Sequence, residues 1–176
     1  TIDVRGILGL CRGEGEQPVL ELVESLEARR DVTGIANLWV RDGATVHRNP
    51  IRELVEDLDS LPPPNYAIFK RHRSFAVLPV ILTRGCPFGC TYCGNPAYRE
   101  AYRGKGRFLR HHSVEYALEL VKRLLRDFPE ARLIEFYDDT FTLHRAWAEA
   151  FLERYAQEIG LPFICNSKFD ILRPET

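Results

Sequence analysis

Apolar positions along the chain switch between helical and strand periods. Val19, Leu22, Val23 and Leu26 repeat at the spacing of one helix face, and Pro18 suits the first helical position of that segment. Gly34–Val40 then reads as a strand, Asp42-Gly43 as a tight turn tolerant of left-handed backbone, and Ala44–Arg48 as the returning partner. Asn49-Pro50 predicts another helix start, with Ile51, Leu54, Val55, Leu58 and Leu61 as its apolar face. Pro62-Pro63-Pro64 stops that helix as a stiff connector. From Phe75 the pattern becomes strand, loop, helix. Phe75–Thr83 reads as a buried strand despite Pro79, and Ala131–Tyr137 as a second. Pro162–Asn166 leads into a third, expected over residues 163–169. Ser113 caps a predicted helix running to Phe128, and Thr142 caps another that Gly160 and Pro162 end. Strand–helix alternation at this spacing implies an α/β fold with a parallel sheet and crossover helices.

The chain has 176 residues, enough for one domain or two small ones, and the pattern divides it into 1–74 and 75–176. Residues 1–12 read as the closing edge of a domain whose earlier part lies upstream. Hydrophobic residues at 45% and charged residues at 28% exclude a wholly disordered chain. A formal net charge of −1 gives no overall argument for nucleic acid or an anionic membrane as partner. No apolar run approaches the ~20 residues that span a bilayer, and the amino end does not read as a signal peptide. Methionine is absent, and the chain closes on Arg173-Pro174-Glu175-Thr176, so a segment of a longer protein is expected.

Five cysteines are too few for a disulfide scaffold and odd in number. Cys86, Cys90 and Cys93 crowd into one loop, which points to metal ligation in a reducing compartment. Soft thiolates suit zinc or an iron–sulfur cluster, and Gly85, Pro87 and Gly89 let a short loop curl so that the three converge. Structural zinc needs a fourth ligand, for which Cys11, Cys165, His111 and His112 are available by type. A [4Fe–4S] cluster on three thiolates leaves one iron open instead. On the residues alone both readings stand.

The string CPFGCTYC, with thiols spaced three then two and an aromatic before the last, resembles radical S-adenosylmethionine (radical SAM) enzymes. The resemblance implies that Cys86, Cys90 and Cys93 ligate a [4Fe–4S] cluster whose open iron chelates S-adenosylmethionine, with Tyr92 near the adenine. Reductive cleavage in that family yields methionine and a 5′-deoxyadenosyl radical that abstracts hydrogen from substrate. Gly13-Glu14-Gly15-Glu16, the segment from Pro50 to Tyr66, and Asp138-Asp139-Thr140-Phe141-Thr142 narrow the likeness to the subgroup with a cobalamin (B12)-binding domain. The resemblance then implies the end of that domain plus a small α+β linker with a hairpin over 1–74. Residues 75–176 become about three strand–helix units of a partial (β/α) barrel that has about six in the family. Cobalamin is expected in the intact protein, its main binding domain lying upstream, and activity of this stretch alone is not expected.

Other residues follow from the same comparison. Asp138 and Asp139 end the second strand, where open parallel folds place functional loops, and either suits the cofactor's ammonium. Where many radical SAM enzymes have glycine–glycine–glutamate, this chain has Tyr137-Asp138-Asp139. One of the two acids instead capping the next helix is the structural alternative. Arg110 is expected near the cofactor, and Asn166, Ser167 and Lys168 as pocket lining. Arg99, Arg103, Lys105, Arg107 and Arg110 against Glu100 make a basic stretch, read mainly as solvated loop. Cys165 and Cys11 read as inert thiols, Trp39 as hairpin packing and Trp147 as helix core. The function implied is a radical SAM enzyme, methyl transfer to an unactivated carbon being a frequent use. A radical SAM RNA methylthiotransferase is the alternative enzyme, though residues 1–74 hold only Cys11 of the three cysteines its amino-terminal domain would carry. A zinc-stapled binding module is the non-enzymatic alternative. Expected partners are a small-molecule substrate, an electron donor such as a flavodoxin or ferredoxin, and the remainder of the chain, in the cytoplasm.

Overall fold

The computed structural model describes residues 6–69 and 75–172. The expected boundary at 74/75 borders residues 70–74, which lie outside the described residues, as do 1–5 and the closing 173–176. The chain folds as two compact units, one within Thr1–Val55 and Gly89–Arg107, the other within Glu56–Phe88 and Phe108–Thr176.

The first unit contains β1 (Gly9–Cys11), α1 (Glu16–Glu27), β2 (Leu38–Asp42), β3 (Thr45–Arg48) and α2 (Asn95–Ala101). The three strands form an antiparallel sheet in the order β1-β2-β3, with Leu10 opposite Trp39 and Trp39 opposite Arg48. Asp42 pairs with Thr45, so the hairpin loop is Gly43-Ala44, one residue later than the sequence pattern suggests. Gly43, at φ +54°, takes the left-handed position. Helix α1 begins at Glu16, two residues before Pro18. Of its expected apolar face, Leu22 packs against Ile35, Leu38 and Val40, while Val19, Val23 and Leu26 remain about half exposed.

The helix expected from Asn49 does not form, because its backbone is committed elsewhere. The Pro50 carbonyl accepts the Asn37 N–H at 2.9 Å, and the Arg52 N–H donates to Asn37 Oδ1 at 2.7 Å. Leu54 N–H donates to the Lys105 carbonyl at 2.9 Å and Val55 N–H to Glu14 Oε2 at 3.2 Å. With these donors used, no i→i−4 ladder can start. Asn37 is fully buried at φ +69° and organises this strap, which the bidentate Arg52–Glu21 pair (2.8 and 2.9 Å) also fastens. Within the expected span a single 3-10 turn forms, Leu58–Ser60, capped by Asp57.

The second unit contains β4 (Val77–Val80), β5 (Thr83–Arg84), β6 (Arg110–His111), α3 (Val114–Asp127), β7 (Leu133–Phe136), α4 (Arg145–Glu158) and β8 (Phe163–Cys165). Strands β4, β7 and β8 form a parallel sheet in that order, as the sequence alternation predicts, with Leu78 opposite Ile134 and Phe136 opposite Cys165. Pro79 is accommodated because β4 is an edge strand. Helices α3 and α4 pack on the face formed by Leu78, Val80, Ile134 and Phe136. Ser113 caps α3, its hydroxyl accepting the Tyr116 N–H at 3.1 Å. Helix α4 starts later than expected from Thr142. The Phe141 N–H is taken by the Asn166 carbonyl at 2.9 Å while its ring stacks on Phe136 at 4.9 Å, so Phe141–Leu143 turns as a 3-10 segment first. The short antiparallel pair β5–β6 was not evident in the sequence, where residues 84–112 read as loop.

Buried His112 ties the 3-10 turn to α3. Its Nδ1 meets Asp59 Oδ1 at 2.8 Å, its ring stacks on Tyr116 at 4.3 Å, and Asp59 also accepts the Ser113 N–H at 3.1 Å. Burial pushes the imidazole below its ordinary range, outweighing the pull of Asp59. Burial alone would raise Asp59, but its bonds to Ser113 and His112 hold the carboxyl below the usual value. The unfolded chain therefore binds more protons on mild acidification, so this stabilisation is present above the unfolded histidine range and is lost as pH falls through the folded value. The urea midpoint of the wild type is expected to drop between pH 7.5 and pH 5.5, and that of His112→Asn to drop less. Equal slopes for the two proteins would contradict this reading.

Candidate functional site

The division between units runs through the cysteine string, with Cys86 in the second unit and Cys90 and Cys93 in the first. In the second, β4 gives way to β5, and Gly85 follows at φ +90°. A Cβ there would lie 2.3 Å from the Phe108 carbonyl oxygen, so only glycine lets the chain turn against that backbone. Cys86 comes next, buried, with its sulfur 3.6 Å from the Thr140 hydroxyl. Gly85→Ala is expected to cost about 2–4 kcal/mol, from the left-handed backbone and the displacement of Phe108. Chemical denaturation measures it, and a loss under about 0.5 kcal/mol would show that the turn has room.

In the first unit, the Cys93 N–H donates to the Cys90 carbonyl at 3.1 Å, placing both thiols in one turn before α2. The Asn95 N–H points at Cys93 Sγ from 3.4 Å, a bond suited to a sulfur that carries negative charge, as a metal-bound thiolate does. Tyr92, between them, is 92% exposed. The backbone N–H of Glu14, from the glycine–glutamate repeat, donates to Tyr102 Oη at 2.8 Å, and Gly13 at φ +85° has no space for a Cβ beside that hydroxyl. The repeat thus packs against Tyr102, rather than presenting carboxylates alone.

All five cysteines are free. Burial pushes the Cys165 thiol up, with Asp138 adding to it, and burial with Glu16 does the same for Cys11. Both favour the protonated, poorly ligating form. Cys86, Cys90 and Cys93 remain as soft donors of the type that a [4Fe–4S] cluster takes. Among the described residues, no three histidine, cysteine, aspartate or glutamate side chains are grouped to share one metal ion, so the expected convergence of the three thiols is not seen.

The acids after β7 separate clearly. Asp138 continues the helix-facing side of Ile134 and Phe136 and is fully buried, its Oδ1 accepting N–H bonds from Leu82 (3.0 Å) and Thr83 (2.5 Å). Burial raises its carboxyl and the bonds from Thr83 and Leu82 pull against that rise. Asp139 lies exposed on the opposite side. Beyond β8, the Asn166 side chain donates to the Asp138 carbonyl at 3.2 Å, and the hydroxyls of Ser167 and Thr142 meet at 2.5 Å. Lys168 pairs with Asp170 and lies over the Phe88 ring at 4.9 Å. Arg110 is buried on β6. Thr140 and Phe88, the partners of Cys86 and Lys168, were missed in the sequence. Phe88 sits inside the cysteine string, which was its available signal.

Residues 80–170 match the family model of the Radical SAM superfamily. The chain is 34% identical over 155 residues to an uncharacterized methyltransferase of Pyrococcus horikoshii, covering 85% of this chain and 32% of that protein. It therefore spans about a third of the length of that curated relative. Among solved structures, it is similar to the cobalamin-dependent S-adenosylmethionine radical enzyme OxsB with aqua-cobalamin and S-adenosylmethionine bound. That match has a TM-score of 0.70 at 21% identity, over 99% of this chain and 25% of that one. It is also similar to the radical S-adenosylmethionine methyltransferase TsrM from Kitasatospora setae with cobalamin and a [4Fe–4S] cluster bound. There the TM-score is 0.63 at 18% identity, over 89% of this chain and 31% of that one. The three parallel strands and helices α3 and α4 are thus part of a radical SAM fold.

Proposed function

The chain belongs to the Radical SAM superfamily, and from that premise we propose that Cys86, Cys90 and Cys93 hold a [4Fe–4S] cluster beside S-adenosylmethionine, in a longer cobalamin-using protein that transfers a methyl group to an unactivated carbon. The observation that carries the reading is the string of three free thiols, spaced three then two, that follows β5. Similarity to two proteins described as methyltransferases supports the reaction class. When bound, the cluster and S-adenosylmethionine supply reductive carbon–sulfur cleavage and hydrogen abstraction.

The chain's own part is to bind and orient. Three thiolates take the cluster, while burial raises the Cys11 and Cys165 thiols and so disfavours their thiolate forms. Of the residues expected at the cofactor, exposed Tyr92 suits the adenine face and exposed Asp139 suits the ammonium. Asn166 and Lys168 act on that pocket by fixing its wall, through Asp138 and through Phe88. A small molecule is the proposed substrate, and a flavodoxin or ferredoxin the proposed electron source. Given S-adenosylmethionine and a strong reductant under anaerobic conditions, the intact protein is expected to form 5′-deoxyadenosine and methionine. A colourless protein with one bound zinc and neither product would favour the binding module.

A further inference from the structure

We propose that Asp138 is a positioning residue, its buried carboxylate holding in place the strand end that carries Cys86 rather than touching the cofactor; this rests on the cluster assignment above. Three parallel strands end near this side chain. Its Oδ1 receives the N–H groups of Leu82 (3.0 Å) and Thr83 (2.5 Å), where β4 passes into β5. Its own carbonyl receives the Asn166 side chain from beyond β8, and the Asn166 carbonyl in turn receives the Phe141 N–H.

Cys86 is reached from this anchor by two routes. One runs along Thr83, Arg84 and Gly85, a stretch constrained by the β5–β6 pair and by the close approach of Gly85 to Phe108. The other runs through Thr140, two residues after Asp138. Its buried hydroxyl donates to the Asp139 carbonyl at 2.8 Å and lies 3.6 Å from Cys86 Sγ. Oδ1 is committed to two backbone N–H groups, and the whole side chain is buried, with Oδ2 left without a hydrogen-bond partner among the described residues. Asp139, one residue on, is exposed and free of that duty.

The test uses the full chain without cluster, reduced and anaerobic, and follows the alkylation rate of each cysteine by iodoacetamide with peptide mass spectrometry. Asp138→Ala is expected to raise the Cys86 rate about tenfold, the scale set by losing hydrogen bonds to a charged anchor, with Cys90 and Cys93 unchanged. Amide exchange at Leu82 and Thr83 should quicken in parallel, and Asp139→Ala should change neither. An unchanged Cys86 rate in Asp138→Ala would overturn the proposal. Should that variant fail to fold, Asp138→Asn decides, since it keeps the accepting oxygen but not the charge. Reconstituted Asp138→Asn is expected to bind S-adenosylmethionine within about twofold of wild type, because charge at this position does not meet the cofactor. A fall of tenfold or more at full cluster content would make Asp138 a cofactor contact instead. Cluster retention by Cys86→Ala would contradict the family reading, while leaving the alkylation result to judge Asp138 separately.

Discussion

Cys90→Ala, reconstituted anaerobically with iron and sulfide, is expected to retain less than about a tenth of the wild-type cluster, because a three-thiolate site has no spare ligand. Cys90 and Cys93 share one hydrogen-bonded turn, so substitution at 90 leaves the turn's backbone bond from Cys93 N–H to the residue 90 carbonyl available. The loss would then be of a ligand and not of the loop. Cys165→Ala is the matched control. Burial and Asp138 raise that thiol, disfavouring the thiolate, and its removal is expected to leave iron content unchanged. Absorbance near ~400 nm, with iron and sulfide analysis, reads both variants. Full cluster content in Cys90→Ala would exclude it as a ligand.

Phe136→Ala is expected to destabilise the chain by about 3–5 kcal/mol, the range for deleting a buried aromatic ring. Phe136 has no exposed surface and stands where the parallel sheet meets α4. Its ring lies 4.9 Å from Phe141, 5.5 Å from Phe163, 5.6 Å from Phe151 and 5.9 Å from Tyr155. Contacts come from three separate segments, so no single neighbour can collapse into the cavity. Domain stabilities of about 5–15 kcal/mol make such a loss visible as a large shift of the urea midpoint. Tyr137→Ala, just past the end of that strand and half exposed on its opposite side, is expected to cost under about 1 kcal/mol. Equal losses for the two would show that the strand's faces have been assigned wrongly.

The same strand shows what could be read in advance. Ile134 and Phe136 alternate with Glu135 and Tyr137, and carrying that period one residue further places Asp138 under the helices and Asp139 outside. The residues thus held the distinction between the two acids, although chemistry alone treats them alike. Helix α3, with its cap at Ser113, was legible because its apolar face repeats at helical spacing across the whole segment. Residues 49–61 were not. Their helical spacing is real, but Asn37, Glu14 and Lys105 claim the backbone from positions far along the chain. The β5–β6 pair was hidden for a related reason, since two-residue strands carry no period. In the site, the thiol spacing was plain, whereas Thr140 beside Cys86 depends on how β7 is followed by its 3-10 turn.

The cluster assignment, with one iron open to S-adenosylmethionine, is tested by electron paramagnetic resonance of the reduced, reconstituted chain, recorded with and without S-adenosylmethionine. Expected are about four irons and four sulfides per chain and a reduced-cluster signal whose g values shift when S-adenosylmethionine is added. A chain that binds one zinc in place of iron, or a cluster signal that S-adenosylmethionine leaves unchanged, would contradict it.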